Sequence, residues 1–212
     1  MILYRPVGIQ ELVLIFNSAL RAFPPRLPEQ PIFYPVLTFD YAEQIASRWN
    51  TKEGSGAGYV TEFFVEDGYA SQLPVRQAGS KQHLEFWVDA AALDEFNGHI
   101  VGQIRLVACY FGSTFTGLVE GHWALGRMSA RDMLGRLGQL YKHGKPEFAA
   151  EVAANKAAVF VYYPFWEQFI ANEASSPDVE VSQLLQSVRQ VWEGILPEIP
   201  LGVRARESYR QT

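Results

Sequence analysis

The chain has 212 residues, 48% hydrophobic and 19% charged, with a formal net charge of −5 and a pI near 5.4. That length suffices for a sizeable core in one large domain or two small ones, and the acidic balance gives no footing for nucleic acid or an anionic membrane as partner. One cysteine, Cys109, excludes an intramolecular disulfide and a cysteine-rich zinc site.

In chain order, "ILYRPV" reads as a first strand, and "IQELVLIFNSALRAF" as a helix with Ile9, Leu12, Val13, Phe16 and Leu20 at helical spacing. The proline-rich "PPRLPEQP" enforces an extended connection. "IFYPVL" is a second strand, Pro35 arguing for an edge position or a bulge. Asp40 and Glu43 form a capping pattern before the short helix "YAEQIASRW". "KEGSGAG" is a turn or linker, followed by a third strand, "YVTEFFVED". "HLEFWV" is the fourth strand, Asp89 is placed to cap the helix "AAALDEF", and "HIVGQIRLVACYF" is a long fifth strand holding Cys109 as a buried structural thiol.

From about 127 the pattern is helical. Ser129 and Asp132 open "ARDMLGRLGQLY", Pro146 opens "EFAAEVAANKAAVFVYY", and Pro164 stands as a first helical residue before "FWEQFIANE". Val181, Leu184, Leu185, Val188 and Trp192 mark a last amphipathic helix ending at Gly194. The expected architecture is therefore α+β: a twisted, mostly antiparallel or split sheet with short helices over 1–113, a linker over 114–126, and a small all-helical domain over 127–212. No window reaches the ~18 apolar residues of a membrane span. "MILYRPVGIQ" lacks a signal-peptide pattern, so the expected location is the cytoplasm. The basic tail "VRARESYR" reads as a solvated terminus.

Strand parity singles out two polar residues. In "HLEFWV", Leu84, Phe86 and Val88 share one face, and His83, Glu85 and Trp87 the other. An acid, an imidazole and a large aromatic plane on one face suit a cleft; the alternative is a solvated face with Glu85 paired to an arginine. In the first strand, Arg5 shares a face with Leu3 and Val7. It reads either as a guanidinium snorkelling to the sheet rim or as a phosphate or ribose clamp. His99 and His122 beside glycines suit turns, and His143 suits a helix C-terminus. Arg26 reads either as a phosphate contact or as a solvated loop arginine, and Asn50 either as a cleft residue or as a helix C-terminal cap. No zinc-hydrolase, nucleophile-elbow or phosphate-loop spacing occurs.

"LYRPVG", "RAFPPRLPEQPIFYPVL", "YAEQIASRWN", "GYVTEF" and "HLEFWVDAAALDEFNGHIVGQI" together resemble a family of small bacterial proteins labelled ADP-ribosylation/crystallin, over residues 1–112. The ADP-ribosylglycohydrolases that share the label hold magnesium with clustered Asp pairs; no adjacent Asp-Asp occurs here. The element order is instead similar to the ADP-ribosyltransferase superfamily. That resemblance implies Arg5 as the first-strand cofactor contact, Tyr34 or Thr38 at the second-strand position, and Glu85 as the glutamate, with His83 two residues before it. NAD would be the substrate, and no metal would be required.

The chemistry is coherent with those groups. Cleaving the nicotinamide–ribose bond develops oxocarbenium character that a carboxylate stabilises. A guanidinium satisfies the pyrophosphate, and Tyr34 or Trp87 would stack on nicotinamide. The usual Ser-Thr-Ser is replaced by "PVLTF", which supports a second expectation: a non-catalytic binding, immunity or accessory module using the same fold, with the helical half as a protein-partner surface.

Overall fold

The structure, a computed structural model, describes residues 1–80, 82–118, 128–173 and 179–204. The stretch 119–127, with His122 and most of the expected linker, and the tail from 205 lie outside the described residues.

Alternation of apolar and polar residues makes Ile2–Val7 a strand (β1) that buries Leu3, Arg5 and Val7. Helix α1, Ile9–Asn17, follows directly and buries Ile9, Leu12, Val13, Ile15 and Phe16 against the sheet. It stops earlier than the periodicity suggests, because Ala19 and Leu20 adopt positive φ and Ser18 closes the turn with its own side chain. The segment "IFYPVL" forms only a two-residue strand, Ile32–Phe33 (β2). Helix α2, Phe39–Ile45, is capped by Thr38, whose Oγ1 accepts from the Tyr41 amide. Asp40 therefore sits in the first turn instead of capping it, and Glu43 accepts from the Tyr110 hydroxyl at 2.5 Å. The helix then widens into a π-turn over Ala46–Asn50.

Strand β3, Ala57–Val65, lies under that π-turn. Gly58 permits the approach: a Cβ there would stand 2.1 Å from the Ala46 carbonyl oxygen. A short helix, Asp67–Ala70 (α3), leads to β4, Val75–Gln77. "HLEFWV" divides into β5, Leu84–Phe86, and β6, Val88–Asp89, with Trp87 between them. A 3-10 turn and α4, Leu93–Gly98, precede the twelve-residue β7, Ile100–Phe111. Asp89 makes no side-chain cap.

The helices α5 (Ala130–His143), α6 (Lys145–Ala154), α7 (Lys156–Glu173) and α8 (Val179–Ile195) complete the described chain. Ser129 caps α5, accepting from the Asp132 amide and donating to its carboxylate. Pro164 does not open a helix; it lies inside α7. An interior proline costs about 3 kcal/mol, and here it is offset by burial of Phe160, Tyr162, Tyr163 and Trp166 around it.

The fold is mixed α+β, with small antiparallel sheets and no closed barrel among the described residues. Strands β1, β3 and β7 pair in the order β1-β3-β7, and isolated bridges at Val36 join β1 to β5. Pro35 thus lies between two strands, not at an edge. Its missing N–H limits pairing there to single bridges. One cluster of buried side chains runs from the sheet into the helices: Phe16 stacks on Phe160 at 4.9 Å, and the Tyr59 hydroxyl donates to the Val161 carbonyl at 2.9 Å. A smaller cluster, Val36, Tyr41, Ala42, Ala46, Val60 and Val107, occupies the opposite face of the sheet.

Candidate functional site

The register decides which polar side chains meet. Directly opposed residues of antiparallel strands project to the same face. Arg76 opposes Glu85, Glu85 opposes Val36, Val36 opposes Tyr4, Tyr4 opposes Glu62, and Glu62 opposes Arg105. These six residues form one row across the sheet, with a carboxylate near each end. Arg5, the next residue along β1 from Tyr4, points to the other face. Arg5 and Glu85 therefore lie on opposite sides of the sheet, and the shared pocket expected for them does not exist. The register runs through the single bridges at Val36, a pairing that parity within one strand cannot reveal.

On the face of that row, Glu85 is buried and bonded. Trp87 Nε1 donates to its Oε1 at 2.7 Å, and the Tyr41 hydroxyl donates to Oε2 at 3.4 Å. Burial first and the Glu85 charge second push the Tyr41 phenol above its ordinary pKa. His83 stacks flat on Tyr41, centroids 4.2 Å apart, with its Nε2 3.3 Å from the Gln44 carbonyl oxygen. Trp87 meets Tyr34 edge to face at 5.6 Å, and both rings are more than a third exposed. Arg76 covers Trp87, its guanidinium carbon 4.6 Å from the ring centroid. Four expected site residues, Tyr34, His83, Glu85 and Trp87, thus gather on one face. Thr38 serves as a helix cap, and Arg5 stands apart.

On the other face, Arg5 is locked to α1. Its Nε donates to Glu11 Oε1 at 2.6 Å, Nη2 to Oε2 at 3.1 Å, and Nη1 to the Tyr34 carbonyl at 3.2 Å, while the guanidinium lies 4.6 Å over the Phe33 ring. This fork-to-carboxylate pairing uses both oxygens of Glu11. Arg26 joins from the proline-rich loop. Its Nε donates to the Ile32 carbonyl at 3.2 Å and its Nη2 to Gln30 at 3.3 Å, and its Nη1 stands 3.7 Å from Glu11 Oε1. Burial, and then the Arg5 charge, lower the Arg26 pKa.

A groove of about 1000 Å³ opens beside this cluster. Its walls are the β1–α1 turn, the first turns of α1 with Glu11, the proline-rich loop with Arg26, and the glycine-rich turn after the π-turn, with Asn50 and Glu53. The turn "KEGSGAG" is more than a linker: Gly54 and Gly56 take positive φ and carry it along one rim. Arg26 and Asn50 are each legible singly in the sequence, but Glu11 is not: its place in an amphipathic helix gives no hint that Arg5 reaches it. A second cavity, about 170 Å³ between Leu20, Phe160 and Pro200, is smaller than any dinucleotide.

His99 bonds Glu66 through Nδ1 at 2.8 Å and stacks on Tyr69, and His143 Nδ1 lies 2.7 Å from the Gln139 carbonyl at the end of α5. Cys109 is buried, its thiol pushed up to about 12 by desolvation. Among the described residues, no cluster of His, Cys, Asp or Glu is arranged to hold a metal ion, and no helix is long and apolar enough to cross a membrane. No protein-family model, curated protein or solved structure matches the chain.

Proposed function

We propose that the chain binds NAD or a related ADP-ribosyl compound in the groove between the proline-rich loop and the glycine-rich turn, as a binding module of ADP-ribosyltransferase-like order. The observation that carries this reading is the groove itself. It is large enough for a dinucleotide, walled by Arg26 for the phosphates, and lined by Asn50, Ser55 and Glu53 as hydrogen-bonding partners for ribose. The first turn of α1, capped only by Gly8, borders the same space. In this proposal the row containing Glu85 shapes the sheet, and the outer faces of the helical half serve a protein partner.

Transfer or hydrolysis of the ADP-ribosyl group through Glu85 is the second reading. It is favoured by the exposed Tyr34–Trp87 ring pair beside that carboxylate. A thermal-shift titration with NAD, ADP-ribose and nicotinamide tests the first reading. NAD and ADP-ribose are expected to raise the melting temperature by mass action, and a flat response to both removes it. Glu85→Gln tests the second: NAD consumption by the wild type that vanishes in this variant would establish it.

A further inference from the structure

On one side of the sheet, two guanidiniums share one carboxylate. Arg5 and Arg26 converge on Glu11, with side chains 9%, 9% and 19% exposed. Glu11 spends both oxygens on Arg5, and Arg26 Nη1, at 3.7 Å, lies beyond hydrogen-bond reach of it. Two desolvated cations against one anion leave a net positive charge, which partly buried surroundings make costly. Burial first, and the Arg5 charge second, lower the Arg26 pKa.

The uncompensated charge is not sealed off. Glu11 and Arg26 both line the groove, so an anion entering there would supply the missing counter-charge. Arg26 is also prepared for the task. Its Nε and Nη2 are fixed by the Ile32 carbonyl and Gln30, and prolines flank it at Pro24, Pro25 and Pro28. Little rotamer or loop entropy is therefore lost on binding. The acidic residue across the groove, Glu53, is exposed on the glycine-rich rim. It would disfavour a ligand anionic along its whole length and suit one with phosphate at one end and hydroxyls at the other.

We infer that Arg26 is the anion-recognition residue of the groove, that it takes a phosphate or diphosphate group, and that Arg5 is a positioning residue which holds Glu11 and never touches ligand. This rests on the groove being the binding site but not on the ligand being NAD.

The test is calorimetric titration of the full chain with inorganic pyrophosphate, ADP-ribose and adenosine, using the wild type, Arg26→Gln and Arg26→Lys. Pyrophosphate and ADP-ribose are expected to bind the wild type better than adenosine does. Arg26→Gln is expected to weaken both about 10- to 100-fold, the usual scale for losing a charged hydrogen bond, and Arg26→Lys to weaken them less. ADP-ribose binding untouched by either substitution would overturn the inference while leaving the nucleotide reading intact. Pyrophosphate bound through Arg26, with no response to NAD or ADP-ribose, would uphold the inference and remove that reading. Failure of the wild type to bind pyrophosphate would overturn the inference, whichever variants fold.

Discussion

The two faces of the central sheet handle arginine and glutamate differently. On one, Glu85 and Glu62 lie in a cross-strand row with an arginine opposite each, and Glu85 is bonded by Trp87 and Tyr41. On the other, Arg5, Glu11 and Arg26 leave one positive charge over, beside an open groove. Carboxylates and guanidiniums match in number in the first arrangement and do not in the second.

Breaking the second face should cost most. Arg5→Ala leaves Glu11 largely buried with only the distant Arg26 contact, and loss of one partner of such a pair typically destabilises by about 3–5 kcal/mol. A urea midpoint within error of the wild type would show that the Arg5–Glu11 pair does not hold α1 to the sheet. Glu85→Ala strands the Trp87 and Tyr41 donors, for an expected loss of about 1–3 kcal/mol, with ligand affinity unchanged. A fall in ADP-ribose affinity without loss of stability would move the site to the Glu85 face.

The smallest effect concerns pH. Unfolded, the Cys109 thiol ionises near 9; folded, burial holds it neutral to about 12. Between those values the unfolded state carries fewer protons, so stability falls as pH rises through the window. The buried Tyr162 phenol, likewise raised from 10.0 to about 12, steepens the descent at its upper end. Cys109→Ala should flatten the first part of the slope. An unchanged slope from about pH 8 to pH 10 would show that the thiol contributes nothing to alkaline unfolding.

Much of the fold was legible because it follows from local periodicity. Strands β1, β3 and β7 and helices α5 and α8 sit where alternation and helical spacing put them. Parity also placed His83, Glu85 and Trp87 on one face. What failed was non-local or too short to carry a period. Strand β4 has three exposed residues and no pattern. Pro164 looks like a helix start until the aromatic burial around it is counted. Whether Arg5 meets Glu85 depends on two bridges through Val36, and no property of either strand encodes them. Glu11 was hidden because its partner lies on a strand, not on its own helix.

The most direct test is a hydrogen-exchange footprint of the wild-type chain saturated with ADP-ribose. The account predicts new protection at residues 8–14, 24–30 and 53–57, which wall the groove, with residues 83–87 unchanged. Protection confined to residues 34–36 and 83–87 would contradict it and return the site to the face of Glu85.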